Sequence, residues 1–354
     1  MGKGGAPLGA NGAAPGTNGA ALAGARALVT GGAGFLGANL ARHLADAGTD
    51  VHVLVRPSTA RWRLAGLTGR VQVHVVDLLD ASAVADVMTR LAPRLVFHLA
   101  AAGGHAGDPD ARRTALATGV AGTFNVLAAL GGNRDVQRLV HVGSFLEYGP
   151  RVAALTERDA LAPTTFRGAV KAASTLLCQQ AAREGVPVVT LRAFSIYGPW
   201  EQSSRLVPTA IRSALTGRPL SLTALEARHD FVYVDDVVRA CIQACWSDGV
   251  VGEAINIGSG VETSNRDLVR AVERAVGRPV VIDDDGFPAP PSDTPHCLAD
   301  VEKARLLLGW RPDYDLASGL ACTVRWQREA LARTATSGDS AAVSATADDN
   351  EAVR

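Results

Sequence analysis

Short apolar runs alternate with longer amphipathic stretches through the first half of the chain. Ala27–Thr30, Val51–Val55, Val71–Val76, Leu95–Leu99 and Leu139–Val142 are apolar runs of strand length, and such runs predict buried strands. Between them Phe35–Ala47, Ser82–Leu91 and Arg112–Leu130 repeat apolar positions at helical spacing. Lys171–Glu184 adds a further helix and Val188–Leu191 a sixth strand. Strand alternating with helix predicts right-handed βαβ units on a parallel sheet. The pattern changes after Gly198. Leu220–Thr223, Phe231–Val234, Ala254–Ile257 and Val280–Ile282 read as short strands, mixed with helices over Asp236–Trp246, Ser264–Val276, Val301–Leu308 and Leu316–Ala332. Proline-rich loops such as Gly286–Pro295 separate these pieces.

Both ends fall outside this pattern. Residues 1–24 are rich in Gly and Ala without a charged start and a Leu/Val core, so they read as a flexible tail and not a signal peptide. Residues 334–354 are rich in Ala, Ser, Thr and Asp and lack periodicity, which predicts a second disordered tail. The folded body then divides into 25–198 and a smaller lobe over 199–333, parts of which return to the first sheet.

Charge narrows the partners. Lys plus Arg and Asp plus Glu both number 35, so no basic surface marks the chain for nucleic acid. No apolar run approaches the ~18 residues of a membrane span. The five cysteines, Cys178, Cys241, Cys245, Cys297 and Cys322, form no CxxC pair and no metal-spaced cluster. They read as buried thiols of a cytoplasmic protein, with no metal site.

The strongest motif is Thr30-Gly31-Gly32-Ala33-Gly34-Phe35-Leu36-Gly37. It follows the first strand and opens the first helix. Gly31 and Gly34 permit a tight turn whose backbone N–H groups, with those of Phe35 and Leu36, approach a pyrophosphate. Gly37 lets helix pack closely on strand, and the helix N-terminus favours the anion. The fold class is therefore α/β: a doubly wound parallel Rossmann sheet with a smaller mixed α/β C-terminal substrate lobe. The second strand ends in Arg56-Pro57-Ser58, with no carboxylate for ribose hydroxyls. Arg56 suits a 2′-phosphate, which favours NADP; stacking of Arg56 on adenine would leave NAD. Asp77-Leu78 closes the third strand, where Asp77 either meets the adenine amino group or caps a turn.

These residues, with those that follow, resemble the extended short-chain dehydrogenase/reductase family, in particular its NDP-sugar epimerases, dehydratases and ketoreductases. Further markers are His98-Leu99-Ala100-Ala101, Gly143-Ser144, Tyr148-Gly149, Lys171, Leu191-Arg192, Tyr197-Gly198-Pro199, Asp230–Asp236, Asn256–Gly260 and Leu308–Pro312. The resemblance implies that Leu99, Ala100 and Ala101 border the dinucleotide and that a Ser/Thr, a Tyr and a Lys do the chemistry. Ser144 matches the first and Lys171, which would bind nicotinamide ribose, the last. The tyrosine does not match: four residues before Lys171 stands Arg167. A guanidinium stays protonated and cannot act as the phenol does. It can polarise a carbonyl or bind an anion. Three readings stay open. Tyr148, Glu147, His105 or Tyr197 replaces the tyrosine; the chain binds its ligands but has lost or slowed hydride chemistry; or the reaction needs no phenolic acid.

Dehydratases of the family carry Asp-Glu directly after the catalytic Thr, where this chain has Phe145-Leu146. Dehydration is therefore disfavoured against C4 or C2 epimerisation or 4-keto reduction of an NDP-sugar. Candidate substrate contacts are His105, Ser144, Ser195, Arg205, Val207, Arg228 and His229, while Asp235 and Asp236 read as caps of the following helix. Family members pair through helices equivalent to Arg112–Leu130 and Lys171–Glu184, which implies a homodimer.

Overall fold

The computed structural model describes residues 18–101, 108–131, 135–222, 224–283 and 296–337. In chain order the first half holds α1 (Asn18–Leu22), β1 (Arg26–Thr30), α2 (Phe35–Asp46), β2 (Asp50–Val55), β3 (Val71–Val75), α3 (Ala81–Leu91), β4 (Leu95–His98), α4 (Pro109–Leu116), α5 (Gly122–Leu130), β5 (Arg138–Ser144), α6 (Phe166–Arg183) and β6 (Val188–Ala193). The second half adds β7 (Ser195–Tyr197), α7 (Leu206–Thr216), β8 (Leu220–Ser221), β9 (Arg228–Tyr233), α8 (Val234–Ala244), β10 (Ala254–Ile257), β11 (Glu262–Ser264), α9 (Asn265–Val276), β12 (Ile282–Asp283), α10 (Glu302–Leu308) and α11 (Leu316–Ser337).

Seven strands form one sheet in the order β10-β6-β5-β4-β1-β2-β3, with every pairing parallel. β4, β6 and β10 are buried along their whole length, as expected where helices cover both faces. Alternate residues of β1 feed opposite layers: Ala27 and Val29 join one apolar cluster and Leu28 the other. The strand order reverses between β1 and β4, so a crevice opens beyond their carboxyl ends, the ligand position of such sheets. The expected Rossmann fold is present. Smaller sheets, β11-β9-β7 and β12-β8, belong to the second half.

Several boundaries differ from the sequence reading. The first tail was expected to run to residue 24, yet α1 forms there and Leu22 is only 3% exposed, its carbonyl accepting from Thr49 Oγ1 at 3.2 Å. The last helix runs on to Ser337. α6 begins at Phe166, capped by Thr165 Oγ1, which accepts from Gly168 N at 3.0 Å. The single helix expected over Arg112–Leu130 is two, joined by a wide π-type turn at Ala117–Ala121. α7 had no counterpart in the sequence reading; its Pro208 lies in the first turn, where proline is tolerated.

Two buried aspartates tie the second half together. Asp230 accepts from Ser259 N (2.5 Å), Ser259 Oγ (2.6 Å), Gly260 N (3.0 Å) and Ala299 N (3.1 Å). Asp236 does not cap α8 as expected, because α8 starts at Val234 and its N-cap is Tyr233. Its carboxylate accepts from Asp313 N (2.8 Å) and Tyr314 N (3.1 Å) and so anchors the approach to α11. Asp235 is no cap either; it faces His43 at 3.7 Å. No helix among the described residues is long and apolar enough to cross a membrane.

Candidate active site

The site starts at the turn between β1 and α2. Gly31 has φ +68°, and a Cβ there would lie 2.8 Å from Ala100 Cα. A Cβ at Gly37 would collide with the Gly31 carbonyl. Gly34 N donates to Gly31 O at 2.9 Å, which closes the turn, and no side chain caps α2. Phe35 and Leu36 turn their side chains toward the core and leave only backbone N–H groups at the helix start. This bare cradle, which any Cβ would fill, fits a pyrophosphate. Leu99, Ala100 and Ala101 stand opposite, following β4.

A buried chain of hydrogen bonds supports that wall. Ala100 N donates to Thr30 Oγ1 at 3.2 Å, and Thr30 Oγ1 bonds His98 Nδ1 at 2.8 Å. His98 Nε2 meets Thr123 Oγ1 at 2.9 Å, and Thr123 donates to Gly119 O at 2.5 Å. Because the Thr123 hydroxyl gives its hydrogen to Gly119, its oxygen accepts from His98 Nε2–H, and His98 Nδ1 then accepts from Thr30. Burial, and then the nearby Lys171 charge, pull the His98 pKa down to about 3. His141 stacks on it at 5.7 Å and is held well below the usual histidine value by the same causes. Both imidazoles are neutral.

Above them lies a small cleft, part of it open to solvent, whose lining includes Ala100, Ala101, His141, Arg167, Lys171 and Ser174. Lys171 Nζ donates to Val142 O at 2.7 Å. Burial, and secondarily the Arg167 charge, lower its pKa to about 8. Arg167 stands one turn earlier on α6. Its side chain is open to the cleft, but the protein packed around the guanidinium, and next the charge of Arg205, lower its pKa. Ser144 ends β5. Its Oγ accepts from Leu146 N at 3.2 Å, so the hydroxyl hydrogen remains to donate.

Two expected stand-ins for the tyrosine do not face this cleft. Glu147 and Tyr148 are fully buried. Glu147 Oε1 accepts from Ser144 N at 2.8 Å, and Oε2 pairs with Arg192 Nε at 2.8 Å. Tyr148 OH donates to Asn256 Oδ1 at 2.7 Å and accepts from Arg192 Nη1 at 2.8 Å. Burial raises the Glu147 pKa against the pull of Arg192, and pushes Tyr148 to about 12. This network joins β5, β6 and β10, which is a structural task. Tyr197 is buried too, packed edge-on against Phe231 and Tyr233. His105 lies outside the described residues.

The other expected contacts are scattered. Arg56 is half-buried at the end of β2. Asp77 is exposed and its Oδ1 accepts from Leu79 N at 3.0 Å, the turn-forming alternative. The Leu78 carbonyl accepts from Asn125 Nδ2 at 2.8 Å. Ser195 is half-buried on β7, level with Phe231. Arg228 lies 3.6 Å from Glu262, and His229 packs on Phe231 at 5.6 Å. Arg205 is exposed at the N-cap of α7. Val207, an expected substrate contact, is 2% exposed and its side chain lies in the core cluster. Among the described residues no group of His, Cys, Asp and Glu could hold a metal.

Sequence reasoning missed His141, Thr123, Ser174 and Glu201. His141 was legible in principle, as a polar residue inside an apolar strand. Glu201 has its Oε2 buried without a hydrogen-bond partner, and burial lifts its pKa to about 8 against the opposing charge of Arg205.

Sheet order, glycine turn and crevice define a dinucleotide-binding Rossmann protein. More narrowly, residues 27–258 match the model of the NAD dependent epimerase/dehydratase family, and the chain belongs to that family. A dTDP-glucose 4,6-dehydratase of Neisseria meningitidis serogroup B is 31% identical over 84% of this chain and 92% of its own length. An epimerase from Methanothermobacter thermautotrophicus superposes with a TM-score of 0.82 at 27% identity, over 90% of this chain and 97% of that one. A Thermus thermophilus UDP-glucose 4-epimerase in complex with NAD gives 0.77 at 27% identity, over 86% and 99%.

The buried pair yields a stability prediction. Arg192→Met strands Glu147 without its counter-ion, at a cost of about 3 kcal/mol near neutral pH. A buried acid with a raised pKa loses stability as pH rises from its unfolded value near 4.5 through the folded one. Urea unfolding should therefore show a larger loss for the variant at pH 8 than at pH 5; equal losses would contradict the assignment.

Proposed function

We propose that the chain is an NAD(P)-dependent enzyme that acts on a nucleotide-activated hexose or deoxyhexose by hydride transfer at a ring carbon, as a C4 or C2 epimerase or a 4-ketoreductase. The observation that carries this reading is the bare glycine cradle facing Ala100, with Lys171 fixed to the Val142 carbonyl beside it. Gly31–Gly37 would hold the pyrophosphate, Lys171 the nicotinamide ribose, and Arg56 the adenosine end. Bound there, NAD(P) would supply the hydride acceptor or donor for the ring carbon. The Ser144 hydroxyl donates to the reacting oxygen, and the Arg167 and Lys171 charges favour its oxyanion form. Arg167 takes no proton; that exchange falls to water at the open mouth of the cleft. Dehydration fits poorly, because Phe145 stacks on Phe194 at 5.5 Å and Leu146 is apolar.

A second reading has its own support. With Glu147, Tyr148 and Tyr197 buried, Arg167 occupies the place of a proton-transferring phenol, which suits a homologue that binds its ligands but has little or no hydride chemistry. A panel of NDP-hexoses and NDP-4-ketohexoses with added NAD(P)(H) separates the two. Turnover by the natural chain, lowered by Arg167→Tyr, supports the enzyme. Turnover only after Arg167→Tyr supports the binding protein.

NADP is the cofactor favoured by Arg56, since charge-assisted bonds to a 2′-phosphate have no rival carboxylate at the end of β2. Denaturing the purified protein should release NADP(H). Arg56→Ala should weaken NADP by about tenfold or more, with NAD changed far less; equal weakening of both would leave adenine stacking as the role of Arg56.

The chain forms a homodimer in this proposal. Leu116, Phe124 and Leu176 are 49%, 59% and 55% exposed on α4, α5 and α6, an apolar surface that pairing would cover. Light scattering should give twice the chain mass, falling to a monomer for Leu176→Asp; a natural chain that is already monomeric refutes the dimer.

A further inference from the structure

We propose that the edge strand β3 is a docking surface for a second copy of this chain. The two strands pair antiparallel about a two-fold axis at Val73 and join two seven-stranded sheets into one. The surface lies apart from the apolar helix face of α4, α5 and α6. It adds a weaker contact to that one, so that the dilute species associates further as concentration rises. Nothing in this contact depends on the reaction proposed above.

β3 ends the sheet and pairs with β2 in an unbroken parallel register from Val71 to Val75. Val76 N donates to Val55 O at 3.0 Å. Alternate residues of a parallel strand turn their N–H and C=O groups to opposite sides, so those of Val73 and Val75 point away from β2 and out of the sheet. The opposite edge is closed by the chain itself. On β10, Lys303 Nζ donates to Ala254 O at 2.7 Å, and Glu157 Oε1 accepts from Asn256 N at 2.7 Å. The outward groups of Val73 and Val75 have no such cover among the described residues. Exposed edges are normally blunted by charge, proline or a bulge. Val71-Gln72-Val73-His74-Val75 has no Lys, Arg, Asp, Glu or Pro and no break in register. Burial, and next the His52 charge, hold His74 below the usual histidine value, which keeps it neutral near pH 7.

What fits this edge is its own copy. Reversing the strand about Val73 sets Val71 against Val75 of the second copy and Gln72 against His74, so valine meets valine on one face and polar meets polar on the other. Val73 N donates to the carbonyl of its twin, and Val75 N to the Val71 carbonyl of the second copy. Val73 and Val75 are 38% and 50% exposed, and Leu79 beyond them 46%. Beside the strand runs an open groove of about 300 Å³, lined by Leu64, Leu67, Val71 and Val73 together with Arg61. An antiparallel copy runs its own Val75 and Leu79 toward this groove. The charges are complementary in the same sense. Exposed Arg61 and Arg70 lie on the side where β3 begins, and exposed Asp77 and Asp80 follow its end; Arg70 also pairs with Asp46. The two-fold axis brings the basic start of each strand to the acidic end of the other, whereas a parallel arrangement sets like against like. Exposed pairs of this kind select direction more than they add affinity.

Sedimentation equilibrium of the full chain at neutral pH tests this across about 1–300 µM, a range that brackets a contact at the weak end of interface sizes. The mass of the dilute species should double with concentration, in the natural chain and in Leu176→Asp, where pairing through the helices is removed. Val73→Lys should abolish the doubling. Hydrogen exchange at the Val73 and Val75 amides should slow by about tenfold between the lowest and the highest concentration. Val75→Lys, at a half-exposed position, serves as the second variant if Val73→Lys alters the far-ultraviolet circular dichroism. A constant mass across the range overturns the docking surface. So does a doubling that survives the lysine variants, or one that leaves exchange at Val73 and Val75 unchanged, since either result places the contact elsewhere on the molecule.

Discussion

The close approach of Gly31 to Ala100 is the constraint on which the site depends. Backbone there meets backbone, leaving no room for even one methyl group. The contact spans the point where strand order reverses, so it joins the end of β1 to the end of β4 and defines the floor of the crevice. The Thr30–His98–Thr123 chain then fixes the separation of these strand ends from α5. A dinucleotide bound over this floor would meet backbone amides and small side chains, and the orientation of α2 would supply the remaining field.

The charge balance around that floor follows from burial. His98 and His141 lie close to Lys171, and two imidazolium ions beneath an ammonium would be strongly unfavourable. Desolvation and the Lys171 charge act in the same direction and keep both rings neutral. Neutral rings serve as hydrogen-bond spacers and leave the cations at the mouth as the dominant local charge. Glu147, a buried carboxylate whose charge reaches Lys171, is engaged by Arg192 and Ser144. Among the described residues that line the cleft, the charged side chains are Arg167 and Lys171, both cationic.

What could be read from the sequence follows how local each signal is. The β1–turn–α2 unit was legible because strand, glycine turn and helix are consecutive, and each glycine answers to a nearby steric demand. The early start of α6 was hidden, since Pro163 and Gly168 resemble a loop, while the cap that starts the helix is one threonine bond. The burial of Val207 was hidden because α7 itself was not read from the sequence, and α7 turns that side chain into the core. Residues 199–333 were read as a second lobe with parts that return to the first sheet; from that stretch β10 pairs in parallel with β6.

Glu147 and Tyr148 show a harder limit. Their spacing from Ser144 made them natural substitutes for the missing phenol, and nothing within ten residues argued otherwise. Their fate is set by Arg192, on the neighbouring strand, and Asn256, on the strand beyond it. A carboxylate this deeply buried needs its guanidinium partner, and a phenol pushed to about 12 and bonded on both sides is a poor proton donor near neutral pH. The same strand pairing that completes the sheet thus removes both candidates from the chemistry. In the proposed site Arg167 takes the place where the resemblance expects a tyrosine, and the consequence of that reading is electrostatic: a fixed positive charge stands where a group that moves protons was expected.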